Sequence, residues 1–301
     1  ELKKHNLLLI TLYLHNEKPA VAPINEYKYP FLIENQQKCV DPAYRTFRVV
    51  YIVKSAIENF ERRSAIRRSW GFEKRFFDVP SRTIFILGVP QHDDELQAKV
   101  KIEAAKYKDI VQADFIDSYY NNTIKTMMGF KWLVKHCSNS KFYMFVDDDI
   151  YVSVKNVLRF IRNPRQIFDY ELPEDVRLFA GFVFVSSPHR HRSSKWYVSL
   201  GEYPYHLWPP YITAGAYIMS KETLLDMYYT SLYTKHFKFD DIFLGLVAKK
   251  ADIEPFHCEE FHFYKKDYTK FNYKYVITSH GYGNPSELLN VWNEQKAIGN
   301  A

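Results

Sequence analysis

Apolar residues fall along this chain in two alternating rhythms. Continuous runs, Val49-Val50-Tyr51-Ile52-Val53, Thr83 to Leu87 and Phe142 to Val146, predict strands buried on both faces, the first spanning Arg48 to Lys54. Between them, apolar positions repeat at helical spacing in Ser64 to Trp70, closed by Gly71 with Ser64 as the expected cap, and in Glu95 to Tyr107 and Thr123 to Cys137. Strands alternating with helices predict an α/β sandwich around a mainly parallel sheet. The second half is more mixed, with strands expected at Leu178 to Val185 and Tyr211 to Ser220. Helices are expected there at Lys221 to Tyr229, Asp241 to Lys249 and Ser286 to Lys296.

The N-terminal stretch carries neither rhythm. Leu7 to Leu14 is apolar over only eight residues, far short of the roughly 20 that cross a bilayer. The charged, proline-containing segment after it suits a spacer. Residues 1–45 are therefore read as a stem, with a membrane anchor expected upstream of Glu1, and residues 46–301 as one catalytic domain.

Composition changes this picture in few places. The chain has 301 residues, 47% of them hydrophobic, enough for a large core. Aromatics reach 17%, and they serve either core filling or sugar stacking; Trp196 and Trp208 are candidates for both. The net charge is +6, but Lys and Arg are spread beside 35 acidic residues, which fits a cleft for a phosphorylated small molecule and gives no reason to expect nucleic acid. The dense basic cluster Arg62, Arg63, Arg67 and Arg68 is interleaved with Ala65, Ile66 and Trp70, as on an amphipathic helix. Cys39, Cys137 and Cys258 form no CxxC pair, so zinc has little support, and they admit one disulfide with one free thiol. Asn121-Asn122-Thr123 is an N-glycosylation acceptor that matters only in a secretory compartment.

The sharpest chemical signal is Asp147-Asp148-Asp149, directly after Phe142 to Val146 and before Ile150-Tyr151-Val152. Adjacent carboxylates repel one another, and a cation relieves that repulsion. In an open α/β sheet the carboxyl ends of strands are where ligands bind. Oxygen ligands suit Mg²⁺ or Mn²⁺, and a metal held by one or two carboxylates completes its shell with water and phosphate oxygens. The expected ligand is a diphosphate, as in nucleotide-sugar chemistry. Asp240-Asp241, before Ile242-Phe243-Leu244-Gly245, is the candidate general base, with helix capping as its plainer role.

Six segments occur in an order that resembles the β1,3-glycosyltransferases, the family of β1,3-galactosyltransferases and β1,3-N-acetylglucosaminyltransferases. They are Arg62-Arg63-Ser64-Ala65-Ile66-Arg67-Arg68-Ser69-Trp70-Gly71, Phe85-Ile86-Leu87-Gly88, Asp114 through Thr126, Phe145-Val146-Asp147-Asp148-Asp149, Pro209 through Tyr217, and Asp240 through Gly245. Ala214 and Ala216 stand where many relatives carry glycine. The resemblance implies a GT-A type fold, UDP-GlcNAc as donor, Mn²⁺ as cofactor and inversion at the anomeric carbon. It implies Asp149 and His280 as metal ligands, Asp147 and Asp148 near the ribose and metal waters, Arg63 and Arg67 on the donor side, and Asp241 as base beside Asp240. It further implies a glycolipid acceptor with a β-linked hexose, mannose first, and a type II Golgi membrane protein with a lumenal catalytic domain. Transfer of galactose or N-acetylgalactosamine, a non-catalytic carbohydrate-binding relative and a metal-dependent phosphohydrolase are the competing readings.

Overall fold

The computed structural model describes residues 21–76, 78–162 and 177–301. In chain order these form β1 Phe31–Ile33, β2 Phe47–Lys54, α1 Phe60–Arg68, β3 Ser81–Val89, α2 Asp94–Tyr107, β4 Ile110–Ile116, α3 Asn122–His136, β5 Ser140–Asp147, β6 Tyr151–Val152 and α4 Val154–Arg162. There follow β7 Phe179–Phe184, β8 Tyr211–Ser220, α5 Lys221–Ser231, α6 Asp240–Ala251, β9 Phe256–His257, β10 Phe261–His262, β11 Thr278–Ser279 and α7 Pro285–Ala297. The main sheet has the order β1-β4-β3-β2-β5-β8-β7-β9, and β10-β11-β6 form a small second sheet. Neighbours from β4 to β5 are parallel, whereas β8 runs antiparallel to β5 and β7.

Strand alternation sorts the core into two layers. Val49, Tyr51 and Val53 of β2 face α1, α2, α4 and α7 through Ala65, Val100, Val157 and Trp292. Val50 and Ile52 face α3, α5 and α6 through Met127, Leu224 and Phe243. The predicted α/β sandwich with a mainly parallel sheet is the one observed, and most elements fall within a few residues of their expected bounds.

Three expectations need correction. Ser64 does not start its helix: α1 begins at Phe60, so Ser64 lies inside it. Strand β4 was not expected, because Gln112 and Asp114 break its apolar run; Gln112 is fully buried and satisfied by the Gly88 carbonyl and by Gln97. The segment read as spacer is packed in its described part. Ile24 and Asn25 donate backbone N–H groups to the Leu232 carbonyl, and Phe31 pairs with Ala113. Trp132 donates its indole N–H to the Glu34 carbonyl, and a disulfide joins Cys39 to Cys137. The domain therefore begins upstream of residue 46.

The Cys39–Cys137 link closes a sequence separation of 98 residues, with Cys258 left as a free thiol. Constraining so long a segment in the unfolded chain stabilises by about 2–4 kcal/mol. Urea denaturation of Cys137→Ser should show a loss of that order; an unchanged midpoint would mean the N-terminal segment docks without it.

Candidate active site

The acidic triplet sits where β5 ends, and the period of the strand separates its members. Tyr143 and Phe145 face the α6 layer, so Asp147 continues on that face, in register with Lys54 at the end of β2. Asp148 turns to the opposite layer. There it accepts from Ser55 Oγ at 2.7 Å, Asn59 Nδ2 at 2.9 Å and Arg62 at 2.9 Å. It is buried, and its oxygens are committed to the β2–α1 loop. The expected place of Asp148 near ribose and metal waters is therefore corrected: it pins the loop to the turn.

Asp240 and Asp241 open α6, in the first turn where the helix dipole favours negative charge. Gly245 lets that helix lie close to β8, since a Cβ there would meet Tyr211 Cβ at 2.6 Å. The two acidic clusters then meet at one ammonium. Lys54 Nζ lies 3.0 Å from Asp147 Oδ1, 2.9 Å from Asp240 Oδ2 and 3.0 Å from the Ala214 carbonyl. An ammonium has three donors, and all three are used. Burial alone would lower the pKa of Lys54, but the Asp147 and Asp240 carboxylates outweigh it and hold Lys54 charged. Thr126 Oγ1 adds a bond of 3.0 Å to Asp240. Lys54, Thr126 and Arg62 were not foreseen in these roles. Lys54 had a legible signal, a lone charge ending the apolar run of a central strand.

A cleft of about 460 Å³ opens over this junction, lined by Lys54, Asp147, Asp240 and Asp241 and, across from them, by Tyr119, Trp196 and Trp208. Asp241 accepts a bond from its neighbour's amide, Ile242 N–H, at 2.8 Å. Burial, with the Asp240 charge beside it, pushes the Asp241 pKa up to about 7. A carboxylate poised there suits proton abstraction near neutrality. The two tryptophans part company: Trp208 is buried on Tyr203, ring centroids 4.0 Å apart, whereas Trp196 is half exposed, its indole N–H held by Tyr119 Oη at 3.0 Å.

Asp149, on the β5–β6 turn, meets His280, which directly follows β11. His280 Nε2 is 3.3 Å from Asp149 Oδ2, and Asp149 Oδ1 is buried without a protein partner. The segment 280–283 is held there because Tyr282 N–H donates to the Asp149 carbonyl at 2.7 Å. Gly281 takes φ +91°, a conformation that favours glycine. Among the described residues no group of three or more His, Cys, Asp or Glu converges as a metal site. A carboxylate with an orphaned oxygen beside an imidazole fits a divalent cation that takes its other ligands from substrate and water. Charge points the same way, since of Asp147, Asp149, Asp240 and Asp241 the Lys54 ammonium bonds only Asp147 and Asp240, and Asp149 has the His280 imidazole beside it.

Arg63 and Arg67, expected on the donor side, do not reach the cleft. Arg63 is fully buried, with its guanidinium spent on Glu103, Ser55 Oγ and the carbonyls of Ala56 and Ile57. Arg67 pairs with Glu103 and Asp109, both at 2.7 Å. Their charges are matched by acids 36 to 42 residues away, so they brace α1 against α2 and β4. The sequon is partly engaged by the fold: Asn121 is half-buried with its Nδ2 donating to the Ile116 carbonyl, and Thr123 is buried with its hydroxyl on the Phe237 carbonyl.

The pattern of the family described as galactosyltransferase matches residues 61–259. A Drosophila melanogaster protein named beta-1,3-galactosyltransferase brn is 48% identical over 84% of this chain and 76% of its own length. The human beta-1,3-galactosyltransferase 1 is 34% identical over 91% of this chain and 81% of its own. A human lactosylceramide 1,3-N-acetyl-beta-D-glucosaminyltransferase is 33% identical over 88% of this chain and 69% of its own.

Removing the Lys54 ammonium would leave Asp147 and Asp240 without a counter-charge in a buried setting. Breaking one partner of a buried pair costs about 3–5 kcal/mol. Lys54→Met should lose stability of that order in chemical denaturation, and Lys54→Arg should recover only part of it. Wild-type stability in Lys54→Met would remove the bridge from the account.

Proposed function

We propose, from the premise that this chain belongs to the galactosyltransferase family and is a UDP-sugar-dependent β1,3-glycosyltransferase, that Asp241 is the general base of a single inverting displacement. The observation that supports it is one cleft lined by both Asp241 and Asp147, with Lys54 joining Asp147 to Asp240, the neighbour of Asp241. Asp241 takes the proton from an acceptor 3-hydroxyl as that oxygen attacks C1 of the donor sugar and UDP departs. Asp149 and His280 would hold Mn²⁺, which supplies neutralising charge for the leaving diphosphate. Lys54 holds Asp240 and Asp147 in place, and the Asp240 charge adds to burial in raising the proton affinity of its neighbour Asp241. Trp196 offers its half-exposed ring, fixed by Tyr119, as a stacking face for the acceptor sugar.

The proposed donor is UDP-GlcNAc and the proposed acceptor a β-linked hexose, mannose first, on a glycosphingolipid. A relative named for N-acetylglucosaminyl transfer to lactosylceramide supports this. Galactosyl transfer is the second reading, favoured by the names of the other two relatives. The compartment proposed is the Golgi lumen, and the Cys39–Cys137 disulfide supports an oxidising setting. Among the described residues no helix is long and apolar enough to cross a membrane.

Kinetics, binding and product analysis test this reading. Asp241→Asn should lower kcat by about 10²- to 10⁴-fold while leaving UDP affinity intact. The base must be ionised, and its pKa is near 7. Wild-type kcat/KM should therefore rise with pH and level off above that point, falling about tenfold per unit below it. Normal turnover by Asp241→Asn would refute the assignment. For the metal and donor, calorimetry with UDP-GlcNAc, UDP-Gal and UDP-GalNAc should show Mn²⁺-dependent binding that Asp149→Ala abolishes. The sugar transferred to alkyl glycosides decides between the two donor readings. Full activity in excess chelator would remove Asp149 and His280 from the metal role.

A further inference from the structure

Strands β7 and β8 are joined by residues 185–210, which form no helix or strand of their own beyond one isolated bridge between His189 and Tyr197. Loops longer than about 12–15 residues without secondary structure are uncommon, and those that keep a shape are usually functional. This one is shaped largely by a single side chain. Arg190 Nη1 donates to the carbonyls of Val198 at 2.8 Å and Ser199 at 2.9 Å, and its Nη2 to those of Tyr203 at 2.7 Å and Tyr205 at 2.8 Å. A guanidinium is planar with donors in fixed directions, so two separate arms of the loop must take one arrangement around it. Both terminal nitrogens are spent on backbone, so neither is offered to a phosphate.

The loop forms one wall of the catalytic cleft, through Ser187, His189, Trp196, Val198 and Trp208. Trp196 packs near the His189 ring, centroids 5.6 Å apart, and its indole N–H is held by Tyr119, over whose ring Lys195 Nζ lies at 3.6 Å. The same loop is tied to the segment that bears Asp241. Val198 and Trp208 pack with Phe239 and Ile242, which flank Asp240 and Asp241 in sequence. Lys238 Nζ donates to the Tyr197 carbonyl at 3.0 Å and to Glu202 at 2.9 Å, and Glu202 in turn accepts from the Ser199 N–H at 2.8 Å. Two of the four carbonyls on Arg190 thus belong to the stretch between Trp196 and Glu202.

We infer that Arg190 is a positioning residue for the acceptor: by clasping both arms of the 185–210 loop it presets Trp196 in the cleft wall, so that the acceptor sugar meets a surface already formed. A wall fixed beforehand spares the ordering cost that binding would otherwise carry. Arg190 touches no reacting atom and acts only through the loop. The inference rests on the reading that Trp196 stacks on the acceptor sugar, and it is independent of which donor sugar is transferred.

Initial-rate kinetics with a soluble alkyl glycoside, using whichever of UDP-GlcNAc and UDP-Gal supports transfer, tests it alongside calorimetry of UDP with Mn²⁺. The variants are Trp196→Ala, Arg190→Met, Arg190→Lys and the double variant Arg190→Met with Trp196→Ala. An aromatic stacking contact is worth up to about tenfold in affinity, so Trp196→Ala should raise acceptor KM by up to about that factor. Arg190→Met should raise acceptor KM by a similar factor, with kcat at saturating acceptor and UDP affinity unchanged. Arg190→Lys should recover only part, because one ammonium carries three donors on a flexible stem and four carbonyls await it. The double variant should be no worse than the worse of the two single variants, since both act on one contact. Multiplied effects in the double variant would overturn the inference, as would an unchanged acceptor KM in Arg190→Met beside a raised one in Trp196→Ala. Loss of UDP binding in both Arg190 variants would overturn it too, by making Arg190 a support of the whole fold. An unchanged acceptor KM in Trp196→Ala would remove the stacking reading itself, and the inference with it.

Discussion

The ammonium of Lys54 is the constraint on which the rest of the site depends. Two carboxylate-bearing elements, the end of β5 and the start of α6, arrive from positions almost a hundred residues apart in sequence, and their charges would drive them apart. A buried lysine between them is stable only because each of its three donors finds an acceptor, and the carboxylates tolerate one another only because the lysine is there. Ion and sheet thus specify each other. Parallel pairing of β2 with β5 puts Lys54 opposite Asp147, and the packing of α6 on β8 brings Asp240 within reach of the same nitrogen.

The neighbours of this junction divide the labour around it. On the opposite face of the strand, Asp148 and Arg62 tie the β2–α1 loop to the triplet, while the Arg63, Arg67, Glu103 and Asp109 network braces α1 from below. The 280–283 segment closes on Asp149 from a third side. What remains uncompensated is negative charge at Asp149 and proton affinity at Asp241. These are the two properties that a leaving diphosphate with its cation and an attacking hydroxyl require of a protein.

Much of this was legible in the residues, and what was not has physical reasons. The parallel strands announced themselves because a strand buried on both faces must be apolar throughout, and β4 escaped because its polar Gln112 is satisfied by a partner 15 residues upstream, Gln97. Within the triplet, adjacency makes the three members look equivalent. Strand alternation separates them, with Asp147 turned toward Lys54 and Asp148 toward Arg62. The basic cluster misled for the converse reason: Arg63 and Arg67 look exposed in sequence because Glu103 and Asp109, which bury them, lie far along the chain. The convergence of Asp149 with His280 depends on a turn at Gly281 that no local pattern announces.

A double-mutant cycle on Lys54 and Asp240 measures the bridge most directly, because it isolates the pairwise interaction from the general cost of altering either buried side chain. Combining Lys54→Met with Asp240→Asn should show that the two single losses of stability are strongly non-additive, with a coupling of about 1–3 kcal/mol. Additive losses would mean that the two acidic elements are held together by something other than the ammonium between them, and the account of this cleft would fail at its foundation.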